Sequence, residues 1–167
     1  MDDMKFDARE SHELVAYLKL HPEVTDVLIT GGDPMIMNTR SLAGYIEPLL
    51  DLPHLKNIRI GTKSVAYWPQ RFVSDKDAAE LLELFRRIVA AGKNLSIMGH
   101  YNHPVEIRQD IARHAVERIR STGATLRFMI LDKAQRVHVH DTLLEMAREK
   151  SMEYTARLAA KGRSTAD

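Results

Sequence analysis

The sequence predicts an α/β fold built on a parallel sheet, and three observations point to it. Short apolar runs of strand length alternate along the chain with longer stretches of helical periodicity. Each strand-like run ends on glycine or a polar cluster: Gly31-Gly32-Asp33, Gly61-Thr62-Lys63, His100 to His103, and Asp132. The composition, 44% hydrophobic and 28% charged over 167 residues, is that of one ordinary globular domain with a sizeable core. Strands alternating with helices imply right-handed βαβ units. Four strands and five helices fit either a small open α/β sheet or part of a (β/α) barrel. In both, ligands bind at the C-terminal ends of the strands, so the polar clusters would converge on one site.

In chain order, Leu14, Val15 and Leu18 stand at helical spacing behind Ser11, and His21-Pro22 closes that segment, which predicts a helix over 8–20. Residues 25–30 form the first strand; Val27-Leu28-Ile29 runs into Gly31-Gly32, and Asp33 before Pro34 bars an immediate helix. Thr39 or Ser41 caps a helix carrying Leu42, Tyr45, Ile46 and Leu49, with Pro48 placed to kink its end. Asn57 to Thr62 is the second strand, and residues 63–76 a long connection. Ser74 caps the next helix, Asp75 and Asp77 sit near its positive end, and Ala91-Gly92 stops it. Leu95 to Gly99 is the third strand, 105–121 a helix ended by Gly123, and Thr125 to Leu131 the fourth strand. A last helix is expected over about 141–161.

Charge and composition exclude several classes of function. The 24 basic and 23 acidic residues nearly cancel, so no net field draws the chain to nucleic acid or an anionic membrane. No apolar run approaches membrane-spanning length, and the start Met-Asp-Asp-Met-Lys lacks the order of a secretion signal, so a cytoplasmic location is expected. The absence of cysteine removes disulfides, thiol nucleophiles and thiolate metal sites from this chain.

Four blocks carry a family resemblance: Gly31-Gly32-Asp33-Pro34, Ile58 to Lys63, Pro69-Gln70-Arg71, and His100-Tyr101-Asn102-His103-Pro104-Val105-Glu106. In order and spacing, and in the lead-in Pro22 to Leu28, they resemble the lysine 2,3-aminomutase family of radical S-adenosylmethionine enzymes over about residues 5–127. The resemblance implies a partial (β/α) barrel of about four parallel βα units, as in the middle of a radical S-adenosylmethionine barrel. It implies a first region, 1–127, that is this partial barrel, and a second, 128–167, of divergent strand and C-terminal helix. The reaction it implies is amino-group migration on lysine or a similar amino acid, a small-molecule substrate.

By the same resemblance, Gly31, Gly32 and Asp33 receive the amino group of S-adenosylmethionine. His100 and Asn102 stand near its ribose or the reacting centre, while His103 holds the turn before Pro104. Thr62 and Arg71 line the cavity, Arg71 offering its guanidinium to an anionic group; Arg59 is read as a partner in a strand-end salt bridge. The family also uses a 4Fe-4S cluster held on three cysteines and a pyridoxal phosphate on a lysine. This chain supports neither, having no cysteine and nothing resembling that lysine stretch. The expectation is therefore a truncated member, inactive alone.

Two alternatives come from other classes. His138 and His140 stand at alternate positions, a workable metal-ligand spacing, and with His100 and His103 would make a metal-dependent hydrolase-like site; the simpler reading is two solvated histidines. A partial barrel also leaves unpaired strand edges, which favour a non-catalytic, self-associating binding domain forming a homo-oligomer.

Overall fold

The computed structural model describes residues 8–130, of which 8–10 and 129–130 are described in backbone only. The expected Asp132 strand end, the helix over 141–161, and His138 and His140 lie outside the described residues. Within them the chain runs α1 (Ala8–Leu20), β1 (Asp26–Ile29), α2 (Thr39–Leu50), β2 (Asn57–Thr62), α3 (Ser64–Tyr67), α4 (Ala78–Ala90), β3 (Asn94–Tyr101), α5 (Val105–Arg108), α6 (Asp110–Arg120) and β4 (Thr125–Ile130). Two short 3-10 turns, Pro34–Ile36 and Pro69–Phe72, follow the loop after β1 and helix α3.

The four strands form one sheet in the order β1-β2-β3-β4, every pair parallel. Sequential parallel strands joined by crossovers of one hand put every connecting helix on the same face. In agreement, α2 packs on α4 and α4 on α6. The architecture is that of a partial (β/α) barrel. The core lies between sheet and helices: Ile58, Ile60, Leu95 and Ile97 point into it to meet Leu42, Ile46, Leu81, Phe85, Ile88, Val116 and Ile119. On the opposite face, Arg59 Nη2 reaches Asp26 Oδ1 at 2.6 Å and Nε reaches it at 2.7 Å, the salt bridge expected of Arg59.

Several element boundaries differ from the sequence expectation. Ser11 lies inside α1, and its hydroxyl donates to Gly44 O at 3.4 Å. That carbonyl is four residues before Pro48, whose nitrogen has no hydrogen to give it, so the proline in α2 leaves an acceptor that α1 uses. The cap of α2 is Asn38, accepting from Ser41 N at 2.9 Å. Helix α4 begins at Ala78 rather than after Ser74; Ser74 N is instead held by Gln70 O at 2.9 Å. The connection 63–76 is built from α3 and the Pro69–Phe72 turn. Strand β3 continues through His100 and Tyr101, and the helix expected over 105–121 breaks at Gln109, whose ψ of 138° is extended. Strand β4 runs without interruption across residue 127.

Candidate binding site at the strand ends

Asp33 organises the site. It follows Gly31, whose φ of +131° is open to glycine and strained for other residues, and it precedes Pro34, the first residue of a 3-10 turn. Its Oδ1 accepts from Met35 N at 3.0 Å and from Thr62 Oγ1 at 2.7 Å. Its Oδ2 accepts from Lys63 N at 2.8 Å and Ser64 N at 3.1 Å. A carboxylate has about four acceptor positions, and all four are engaged here. The Thr62 hydroxyl is committed too, accepting from Ser64 N at 2.9 Å, and Thr62 is buried. Asp33 and Thr62 are thus brought together, but as a bridge between the ends of β1 and β2, with their polar atoms turned on one another. Gly31 and Gly32 remain exposed beside this bridge.

Arg71 is 1% exposed, within the core side of the fold. Its Nε donates to Met35 O at 2.9 Å and Nη2 to Met37 O at 3.2 Å. Nη1 and Nη2 reach the Asp77 carboxylate at 2.7 and 3.3 Å, and Thr39 N and Oγ1 each donate to Asp77 Oδ2 at 2.8 Å. Burial pushes the Asp77 carboxyl upward, but the two Thr39 bonds and the Arg71 charge outweigh it and hold the group below its ordinary range. The anion that Arg71 was expected to offer itself to is therefore an internal one. A buried arginine requires a carboxylate, and Asp77, six residues later, is the signal for one in the sequence, although its place near the start of α4 also suits a helix-end charge.

The third cluster is at the end of β3. One step past the register pair Thr62↔Gly99 stand Lys63, at the start of α3, and His100, which alternates along β3 with Gly99 and core-facing Tyr101. His100 Nε2 is buried without a hydrogen-bond partner among the described residues. Asn102 is exposed; its backbone N–H donates to Glu106 Oε2 at 2.8 Å. His103 Nδ1 accepts from Val105 N at 3.2 Å, which holds the turn before α5. The Tyr101 hydroxyl, on the core side, is buried and without a partner among the described residues, and that burial, with nearby Glu106, pushes its pKa well up.

Away from the strand ends, a groove of about 450 Å³ lies between α2 and α4, lined by charged residues that include the ion pair Arg87–Glu47. Among the described residues no three potential ligands gather to hold a metal, and no helix is long and apolar enough to cross a membrane.

No family model matches the chain. Individual relatives do. It is 41% identical over 126 residues to a protein of Aquifex aeolicus (strain VF5) provisionally named L-lysine 2,3-aminomutase, a match covering 75% of this chain and 33% of that protein. It is 30% identical over 124 residues to the L-lysine 2,3-aminomutase of Acetoanaerobium sticklandii, covering 74% of this chain and 28% of the relative. The glutamate 2,3-aminomutase of Clostridioides difficile (strain 630) is 28% identical over 114 residues, covering 68% of this chain and 25% of the relative. The chain thus spans a third or less of the length of these relatives. With its parallel βα units and the blocks at their strand ends, the chain belongs to the lysine 2,3-aminomutase family.

Proposed function

We propose that this chain provides the strand-end cradle for the amino-acid portion of S-adenosylmethionine in a radical enzyme of the lysine 2,3-aminomutase type, and that it does not carry out amino migration by itself. The observation that carries this reading is the four-donor seat of Asp33, which fixes the loop while leaving the Gly31 and Gly32 backbone exposed. Glycine carbonyls without flanking side chains suit the approach of an ammonium group. Asp33 acts here by holding the glycines in place, its own oxygens being filled. His100, whose buried Nε2 lacks a partner among the described residues, and exposed Asn102 are the side chains we assign to the ribose.

The cofactor fits these residues; a cysteine-ligated cluster does not, since none of the 167 residues is cysteine. S-adenosylmethionine, when cleaved reductively in this family, supplies the radical, and no step of that chemistry is assigned to this chain. Names among its relatives include lysine and glutamate aminomutases, so the substrate class we propose for the complete activity is a free amino acid, lysine or one similar to it. We place the protein in the cytoplasm, acting on small molecules rather than nucleic acid or membrane. Strands β1 and β4 have a free edge among the described residues, and we propose self-association there.

The test is calorimetric titration of the purified chain with S-adenosylmethionine, repeated with Asp33→Ala. Binding by the parent that the variant loses supports the cradle. No binding at millimolar ligand overturns it, and 5′-deoxyadenosine formed by the isolated chain after supply of iron, sulfide and reductant overturns the proposed inactivity.

A further inference from the structure

We infer that Arg71 is a positioning residue for the Gly31–Gly32 loop, acting at a distance through Met35 and Met37 and anchored by Asp77 and Thr39. The loop needs such a device. A Cβ placed on Gly31 would meet nothing within 4 Å, and both glycines are exposed, so packing does not determine their conformation. Glycine has the largest backbone freedom to lose, and two in succession would wander unless held from outside.

The chain supplies two holds on the residues that follow. Asp33 pins the near side to the end of β2. Arg71 pins the far side: Met35 offers its N–H to Asp33 at 3.0 Å and its carbonyl to Arg71 at 2.9 Å, so one peptide segment is held from both ends. The second contact, to Met37 O at 3.2 Å, fixes the exit of the 3-10 turn. The planar guanidinium can hold both carbonyls because its terminal nitrogens also lie against Asp77 and, at 3.3 Å, the Thr39 hydroxyl, and Asp77 is fixed in turn by the backbone and hydroxyl of Thr39, the first residue of α2. A lysine in this place would keep the charge for Asp77 but lacks the fork that reaches two carbonyls at once.

This inference deepens the cradle reading but its first readout does not depend on ligand. Amide hydrogen exchange is measured on the full chain without ligand for Arg71→Lys and Thr39→Val, following the amides of Met35, Ile36 and Met37, which are hydrogen-bonded within the turn. The expected result is exchange about tenfold faster or more in this segment, with the amides of β2 and β3 unchanged. A uniform increase across segment and strands, or no change in the segment of either folded variant, overturns the inference. Should Arg71→Lys fail to fold, Thr39→Val decides alone, because it removes a single hydroxyl that donates to Asp77 and accepts from Arg71 Nη2 while leaving both charged groups in place. A second readout is S-adenosylmethionine affinity: local loosening accompanied by weaker binding ties the positioning to the cradle, whereas loosening in a chain whose parent binds no S-adenosylmethionine keeps the positioning and removes the cradle reading.

Discussion

Thr62 Oγ1 lies 2.7 Å from Asp33 Oδ1, and through this bond the loop after β1 is fastened to the last residue of β2. Three backbone N–H groups, of Met35, Lys63 and Ser64, converge on the same carboxylate. Replacing Asp33 with alanine leaves these donors without their acceptor, and hydrogen bonds to a charged group are the stronger kind. Asp33→Ala is expected to lower unfolding free energy by about 2–4 kcal/mol in urea denaturation. A loss under about 0.5 kcal/mol would show that the carboxylate is not the fastening described.

Arg71 and Asp77 form a pair in which the guanidinium is buried and the carboxylate half-buried. Removing one member strands the other, so Arg71→Met should cost about 3–5 kcal/mol. Asp77→Ala combined with Arg71→Met should cost clearly less than the two single changes added, with a coupling of about 1–3 kcal/mol from a double-mutant cycle. Additive losses would mean that the two residues act independently.

The pH dependence of stability has a definite sign at Asp77. Its folded carboxyl sits below the ordinary aspartate value of 3.8, so the unfolded chain binds the proton more readily. Stability from this group is in place above that value and is lost as pH falls through the lower folded pKa. Asp77→Asn should therefore flatten the acid limb of the stability profile below about pH 4. An unchanged acid limb would contradict the assignment.

Lys93 has the same direction of shift with a different cause. Burial lowers its pKa, neighbouring Lys56 lowers it further, and Asp51 opposes both. Its ammonium donates to Leu52 O at 2.6 Å and Leu55 O at 3.0 Å, tying the turn after α2 to the start of β3. Because the unfolded chain binds the proton more tightly, stability from this group rises with pH through the alkaline range toward the ordinary 10.5. Lys93→Met should remove that rise while lowering stability at neutral pH by about 1–3 kcal/mol, the cost of two carbonyls left without donors.

Tyr101 provides a test in the opposite direction. Its ring packs against Phe128 with centroids 5.2 Å apart, while its hydroxyl is buried and unpartnered among the described residues. Tyr101→Phe keeps the ring and removes the stranded group, so stability should be unchanged or raised by up to about 1 kcal/mol. A loss of more than about 1 kcal/mol would reveal a partner for the hydroxyl.

The strands were legible in the sequence because each is a short apolar run ended by punctuation that the backbone obeys. Gly92 and Gly123 do adopt positive φ, at 76° and 88°, where helices were expected to stop. Two features were not legible. Thr39 could not be recognised as an anchor for Asp77, 38 residues away, and so both were assigned to local capping. The break at Gln109 has no proline or glycine to announce it, and nothing in the structure explains it. At the site, local signals located Gly31, Gly32, Asp33 and His100 at strand ends, but they could not say which polar atoms face outward. Thr62 and Arg71 have the right chemistry for a ligand and are turned inward by partners 29 to 36 positions away.

The same separations set the order in which the molecule can acquire its shape. The bonds of Asp33 to the β2 end span 29, 30 and 31 residues, and those of Arg71 to the two methionine carbonyls 36 and 34. None can form inside an isolated hairpin or helix; each requires β1, α2 and β2 to have closed into a unit, with its loop-closure entropy already overcome. The glycine loop therefore gains its final conformation only after that unit has assembled. A chain interrupted anywhere between Asp33 and Arg71 would have strands and helices in reach but no rigid loop at their ends.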